Sequence, residues 1–188
     1  MMKRVFVLVA LLGGLALAGG RESGPVMPMN HAGHTVQSQM TDMLTPLRPL
    51  RGKAFDIKWT QLMIDHHQMA VMMAQHELAM GQNSRVKAAA QKVIDAQMSE
   101  IATMQGWLQS WTGQLDQPRP MPMQMDMPGG ADKWFLEGMI PHHQGAIDMA
   151  RLIPSRTQNA DLRRLGMDII RVQSNEIAQY RQLLKVLK

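Results

Sequence analysis

The feature of this sequence that most limits its possible folds is an internal repeat. The segment Met63–Ala70 (MIDHHQMA) matches Met139–Ala146 (MIPHHQGA). The match continues without a gap at an offset of 76 residues, where Glu100–Ala102 meets Glu176–Ala178. Matches this far apart in one register indicate that a whole structural unit has been duplicated.

Each repeated unit predicts two α-helices. In the first unit, the run Asp56–Met80 ends at Gly81, a residue type that commonly follows a helix. Asn83 or the adjacent Ser84 then offers the N-cap of a second amphipathic helix, which ends near Gly113. The first unit is therefore expected to be a helix hairpin.

The second unit predicts the same hairpin with one irregularity. Its first helix starts after Gly129–Gly130 with Asp132 as a cap and breaks at Pro154, and its second helix runs to the C-terminus. Pro141 lies well inside the first of these helices, where it removes one backbone donor and should cause a kink. Asp65 holds that place in the first unit, so the two halves should not be fully symmetric.

The chain as a whole is expected to be an all-α four-helix bundle made of two repeated hairpins. No stretch shows sustained two-residue alternation, so no sheet is predicted. Lone amphipathic hairpins cannot bury their apolar faces, and packing two together solves this. The expected divisions are a signal peptide (1–18), a Met- and His-containing N-terminal extension (19–54), hairpin unit 1 (55–113), a Pro- and Met-rich linker (114–130) and hairpin unit 2 (131–188).

The N-terminus predicts export. Lys3 and Arg4 precede the apolar run Val5–Leu15, and Ala16–Ala18 supplies a small-x-small cleavage site. The run is short for a membrane span, which needs about 20 residues, and an uncleaved anchor is the alternative. No cysteine follows it, which excludes a bacterial lipoprotein anchor. We expect a periplasmic or otherwise exported protein without stable membrane insertion after cleavage.

The composition restricts the possible ligands and partners. The chain has no cysteine, so it can form neither a disulfide framework nor a thiolate metal site, whereas its 20 methionines are an unusually large number. Removing the leader lowers the formal charge from +5 to +3. No basic patch interleaved with aromatic residues occurs, so nucleic acid is not an expected partner.

Histidine and methionine recur at matching helical positions in both units. The candidate metal ligands are Met63, His66, His67, Met69, Met73, His76 and Met80 in the first unit, and Met139, His142, His143 and Met149 in the second. An i, i+4 pair such as Met63 and His67 brings two side chains close enough to share one ion. A recurring pair of histidines is hard to explain by packing alone, and imidazole is the commonest protein metal ligand.

Core packing is the competing interpretation of the helical methionines, because methionine fills irregular gaps. It is favoured individually for Met73, Met80, Met98, Met104 and Met167. Glu100 and Glu176 occupy matching places in the second helix of each unit. Each of them either accepts a hydrogen bond from a ligand histidine and fixes its tautomer, or is a solvated surface residue, and the sequence leaves both interpretations open.

Two segments outside the helices add soft ligands. They contain Met27, Met29, His31 and His34 in the N-terminal extension, and Met121, Met123, Met125 and Met127 in the linker. The proline content of the linker favours an extended chain. Thioether sulfur suits Cu(I), and imidazole suits Cu(II) as well. Docking of a Met-rich strip onto the bundle surface is the alternative.

The segment Met139–Ala150 (MIPHHQGAIDMA) resembles the bacterial domain-of-unknown-function family 305. The resemblance extends from about Asp56 to Leu184 as two units, with Asp65 departing from the family's usual proline and Met69 from its usual glycine in the first copy. It implies an exported protein with a ferritin-like helical bundle. It also implies copper chemistry, since some members are implicated in periplasmic copper binding and resistance.

The sequence therefore favours a binding protein for copper, with silver as a second soft ion, that sequesters the metal or transfers it to another copper-handling protein. A ferritin-like di-metal oxidoreductase is one alternative. Such bundles use Glu-x-x-His pairs, and none of the helical histidines here follows a glutamate at that spacing. The other alternative is a Met-rich oxidant scavenger or interaction module without metal.

Overall fold

The computed structural model describes residues 43–119 and 129–187. In these ranges the chain forms a short 3-10 helix, Thr45–Leu47, and four α-helices: α1 (Gly52–Met80), α2 (Ser84–Thr112), α3 (Ala131–Arg156) and α4 (Ala160–Val186). Neither range contains a strand. The predicted all-α four-helix architecture is confirmed. None of the described helices combines the length and apolarity that a membrane span requires.

The ends of the helices in the first hairpin follow from local sequence chemistry. The Gly81 N–H donates to the Glu77 carbonyl at the end of α1, at 2.8 Å. The Asn83 side chain accepts from the first free N–H groups of α2, and Asn159 does the same at the matching place before α4. Gly113 ends α2 in the left-handed region with φ of 74°, which costs a glycine little. The ends predicted at Gly81, Asn83 and Gly113 are confirmed.

The predicted boundaries of the third helix are wrong in two details. Gly130, not Asp132, is the residue before the first turn of α3. The Asp132 carboxylate instead accepts the backbone N–H groups of Gln82 and Asn83 in the turn of the other hairpin, at 3.0 and 2.8 Å. The helix also continues through Pro154 to Arg156, because proline's fixed φ fits a helix and only one donor is lost.

The two hairpins meet through their first helices. α1 packs on α2, α3 packs on α4, and α1 and α3 form the interface between the hairpins. Near the start of α1, Trp59 Nε1 donates to the Met149 carbonyl late in α3, at 3.0 Å. At the other end, the rings of His76 and Trp134 meet edge to face, with centroids 5.5 Å apart. These two contacts show that α1 and α3 run antiparallel.

The sequence repeat is also a repeat of contacts. Asp56 and Asp132 match at the repeat offset, as do Asn83 and Asn159. Asn159 Nδ2 donates to Asp56 Oδ2 at 3.2 Å, and the Asn83 N–H donates to Asp132 Oδ1 at 2.8 Å. An aspartate of the first helix of each hairpin thus accepts a hydrogen bond from the turn of the other hairpin. The duplication therefore gives an approximate two-fold relation between the hairpins.

The buried side chains form two clusters. The first core cluster includes Phe55, Trp59, Met63, Met104 and Leu108. The second core cluster includes Met73, Phe135, Leu136, Met139 and Tyr180. Met63, one turn before His67, therefore lies in the first core cluster, and Met139, one turn before His143, lies in the second.

Of the five helical methionines predicted to pack in the core, two are buried. Met73 and Met104 are buried. Met80, Met98 and Met167 are 55%, 54% and 65% exposed, so core packing is wrong for these three. Met98 and Met167 each directly follow a buried position, and a step of one residue turns a helical side chain by about 100°. Met80 is the last residue of α1, where less of the chain surrounds it.

Candidate metal site

Four histidines lie together at the middle of the interface between the hairpins. His66, His67, His142 and His143 are all fully buried. The rings of His66 and His142 face each other across α1 and α3, with centroids 3.7 Å apart. His142 Nε2 lies 3.0 Å from the His66 carbonyl oxygen, and a carbonyl only accepts, so this nitrogen carries the proton.

The central pair, His66 and His142, is held in the neutral form. Burial lowers the pKa of His66 well below its ordinary value, and the adjacent His142 lowers this pKa further. Burial also lowers the pKa of His142, with further lowering by His143 and His67. A proton added to either ring would place a charge in the core beside other imidazoles. Neutral imidazole is the form that binds metal ions.

The outer pair, His67 and His143, lies against carboxylates, and His67 is hydrogen-bonded to its carboxylate. His67 Nε2 lies 2.6 Å from Glu100 Oε2, and His143 Nε2 lies 2.9 Å from Glu176 Oε2. Each glutamate comes from the second helix of the same hairpin. Such a carboxylate on one ring nitrogen is the usual support for a metal-binding histidine, because it fixes the tautomer and ring orientation.

The other ring nitrogen of each outer histidine is left open. Nδ1 of His67 and Nδ1 of His143 are buried without a hydrogen-bond partner within residues 43–119 and 129–187. In a neutral His67, donation of the Nε2 proton to Glu100 leaves a lone pair on Nδ1. His143 Nε2 lies 2.9 Å from Glu176 Oε2 but makes no hydrogen bond within the described ranges. Each hairpin thus holds one buried imidazole Nδ1 that is not engaged in a hydrogen bond there.

A buried thioether lies one turn before each outer histidine. Met63 precedes His67 by four residues on α1, and Met139 precedes His143 by four residues on α3. Both methionines are fully buried. Residues at this spacing share one face of a helix, with Cβ atoms about 5–6 Å apart. The spacing therefore places one buried methionine and one buried histidine on the same helix face in each hairpin.

The remaining helical candidates divide between core and surface. Met69, Met73 and Met149 are buried, with Met69 and Met149 in the first core cluster and Met73 in the second. His76 is half-buried, and Met80 is mostly exposed. The candidates of α1 from His66 to Met80 thus run from the core to the end of the bundle.

Imidazole and carboxylate side chains do not form a cluster of three ligands in the described part of the bundle. Within the two described ranges, no three histidine, aspartate or glutamate side chains converge as a metal ion would require. Thioether and imidazole together suit a soft ion such as Cu(I).

The candidate ligands of the N-terminal extension and of the linker lie outside the described residues. These are Met27, Met29, His31, His34, Met121, Met123, Met125 and Met127. The start of the linker is described as far as Arg119, which is fixed to Asp65. The Arg119 N–H donates to Asp65 Oδ1 at 2.8 Å and its guanidinium donates to Oδ2 at 2.6 Å. The described start of the linker therefore lies beside Asp65, the residue that precedes His66.

Two buried glutamines near the site did not enter the sequence-based set of candidates. Gln97 and Gln173 occupy matching places, three residues before Glu100 and Glu176, and both are buried. Their Oε1 atoms have no hydrogen-bond partner in the described part of the chain. The sequence signal that could have identified them is that glutamine occurs at the same position in both repeats. A buried amide that recurs in both hairpins is unusual for a packing position.

The chain matches a known family over nearly its whole length. The model of the domain of unknown function DUF305 matches residues 15–108, 81–133 and 132–188, as expected for a repeated unit. An uncharacterized protein of Acanthamoeba polyphaga mimivirus is 45% identical over 53 residues, which are 28% of this chain and 35% of that protein. This chain thus spans about a third of that relative's length.

Solved structures show the same fold. CopM in its Cu(I)-bound form is 33% identical with a TM-score of 0.64, covering 69% of this chain and 95% of that chain. CopM in an Ag-bound form, obtained by co-crystallization, is 34% identical with a TM-score of 0.62 and the same coverage. A DUF305 fragment from Deinococcus radiodurans, 23% identical with a TM-score of 0.64, covers 73% of this chain and 99% of its own, and shows the fold alone. From the extent of these matches, the chain belongs to the DUF305 family.

Proposed function

We propose that this protein binds copper(I) or silver(I) inside its helical bundle, with one site in each hairpin. Site 1 is formed by Met63 and His67, and site 2 by Met139 and His143. The observation that carries the proposal is the arrangement of each outer histidine. Its Nε2 lies within 2.9 Å of a glutamate carboxylate, its buried Nδ1 makes no hydrogen bond within the described ranges, and a buried methionine lies one helical turn away.

The donor set favours a soft ion. Thioethers are neutral and polarizable and select Cu(I), whereas harder ions prefer several oxygen or nitrogen donors. No three such donors converge in the described bundle, which also disfavours the di-metal oxidoreductase alternative. CopM, a third identical to this chain, has Cu(I)-, Ag- and Cu(II)-bound forms, and this supports copper or silver as the bound metal here.

The glutamates help both the binding and the entry of an ion. A monovalent cation in the core needs a nearby negative charge, because an uncompensated buried charge is costly. The side chains of Glu100 and Glu176 keep 26% and 19% of their surface exposed. Each His–Glu pair therefore lies directly below the protein surface, and an ion reaches the imidazole by passing a carboxylate.

We further propose that the protein works outside the cytosol, where it sequesters the metal or passes it to another copper-handling protein. The leader-like N-terminus supports export. Met27, Met29, His31 and His34, with the linker methionines Met121, Met123, Met125 and Met127, are proposed as additional ligands for capture or transfer. The contact between Arg119 and Asp65 supports such a role for the linker, because it tethers the linker's start close to the buried histidines.

The proposal is tested by removing the two buried thioethers without changing the packing volume. The variant Met63→Leu with Met139→Leu should fold normally, since Leu and Met exchange at a cost below about 1.5 kcal/mol each. Native mass spectrometry during Cu(I) titration should show two fewer tightly bound ions than in the wild type. Circular dichroism checks that the helices are retained.

The matched control removes two exposed thioethers, Met98→Leu with Met167→Leu. This control should bind as many ions as the wild type. If the folded Met63/Met139 variant also binds the wild-type number with unchanged affinity, the metal sites do not lie in the bundle and the proposal is wrong.

A further inference from the structure

The two hairpins differ in the residue that faces the methionine of each site. α1 and α2 run antiparallel, and His67 contacts Glu100 across them. One turn before His67 is Met63, and one turn after Glu100 is Met104, so these two methionines lie at the same level of the hairpin. Both are fully buried and belong to the first core cluster.

The second hairpin places a tyrosine where the first has Met104. His143 contacts Glu176, so Met139 and Tyr180 lie at one level by the same reasoning. Both belong to the second core cluster. The Tyr180 ring is centred 5.6 Å from the ring of His143, which shows directly that this position borders the histidine. Met104 and Tyr180 match at the repeat offset of 76 residues.

We infer that Met104 is a third ligand of site 1, so that the first hairpin holds a site of two thioethers and one imidazole whereas the second offers one of each. This inference rests on the function proposed above and adds a ligand and an order of filling. A phenol oxygen is a hard donor and a poor ligand for Cu(I) or Ag(I), so Tyr180 does not replace the missing sulfur. Soft metal therefore fills the first hairpin before the second.

Site-resolved titration tests the order of filling. The full chain carrying ¹³C-methyl methionine is titrated with Ag(I), which is diamagnetic, and each methyl signal is assigned from its Met→Leu variant. The signals of Met63 and Met104 should shift together, at an Ag(I) concentration about tenfold below that which shifts Met139.

Two variants test the ligand directly. Met104→Leu should weaken Ag(I) binding at Met63 about tenfold and bring it close to that at Met139. Tyr180→Met supplies the missing sulfur and should tighten binding at Met139 by a similar factor. The control Met98→Leu removes an exposed thioether of the same helix and should change neither.

The outcomes separate this inference from the proposed function. If Ag(I) binding at Met63 is unchanged in Met104→Leu and the Met139 site is unchanged in Tyr180→Met, while Met63→Leu still weakens binding, Met104 is a packing residue and the inference is wrong. If Met63→Leu also has no effect, the proposed function fails with it.

Discussion

At the scale of single residues, the bundle contains a buried carboxyl group outside the candidate sites. Glu77 is fully buried in the last turn of α1. Burial, with a smaller contribution from the neighbouring Asp132 and a partial opposing effect of Lys87, raises the pKa of Glu77 from 4.5 to about 8. The folded chain thus holds a proton on Glu77 that the unfolded chain releases at much lower pH.

This proton makes stability depend on pH. Because the raised pKa of Glu77 favours the protonated form in the fold, its contribution is fully present below about pH 4.5 and is lost as the pH rises through about 8. In Glu77→Gln the group is permanently neutral, so this loss should disappear. The free energy of unfolding from urea titrations should therefore fall more steeply between pH 5 and 8 in the wild type than in the variant.

The exposed Glu137, also on a long helix, provides the control for that comparison. Glu137→Gln should keep the wild-type slope. The buried histidines affect all three proteins alike and cancel in the differences. A wild-type curve parallel to that of Glu77→Gln over this range would show that Glu77 ionises equally easily in the folded and unfolded states.

At the scale of helices, the residues that end or cap a helix could be predicted from the sequence, whereas contacts between the hairpins could not. Gly81, Asn83 and Gly113 act on their own helix, so their roles follow from residue type. Asp132 has the composition of a cap, yet its carboxylate serves the turn of the other hairpin. That partner is set by tertiary packing, as is the exposed side of a helix such as the one that carries Met98.

Two glycine substitutions should have opposite effects on stability. A Cβ on Gly81 would lie 2.7 Å from the Glu77 carbonyl oxygen and would overlap the Glu77 carboxylate. Gly81→Ala should therefore destabilise the fold by about 1–3 kcal/mol. Gly106 lies on an exposed part of α2 with no atom within 4 Å of a Cβ, and Gly106→Ala should stabilise by about 0.5–1 kcal/mol.

Thermal unfolding of both glycine variants by calorimetry measures these effects. The melting temperature should fall in Gly81→Ala and rise in Gly106→Ala. An unchanged melting temperature in Gly81→Ala would mean that the Glu77 side chain and the turn after α1 adapt to the extra methyl group.

At the scale of the whole molecule, duplication explains most of what could be predicted. The repeat predicted two hairpins and the matching pairs Met63–His67 and Met139–His143. It left open whether Glu100 and Glu176 meet histidines, because the phase of a helix cannot be set closely enough from sequence. The structure places both glutamates against the outer histidines, at 2.6 and 2.9 Å.

The division of the four histidines into a central and an outer pair could not be predicted from the repeat. His66 and His142 occupy equivalent positions, and the approximate two-fold relation brings them face to face across α1 and α3. Which histidine of each pair turns to this interface and which turns to its own hairpin depends on how the hairpins pack. The division into a central pair and an outer pair is therefore a property of the assembled bundle.

The central claim is that soft metal binds inside the bundle beside the outer histidines. A crystal structure of the Ag(I)-loaded full chain, with an anomalous difference map, tests it most directly. We predict peaks between Met63 and His67 Nδ1 and between Met139 and His143 Nδ1, the first of which is the stronger at low occupancy. Peaks confined to the surface, with both buried pairs empty, would contradict the claim.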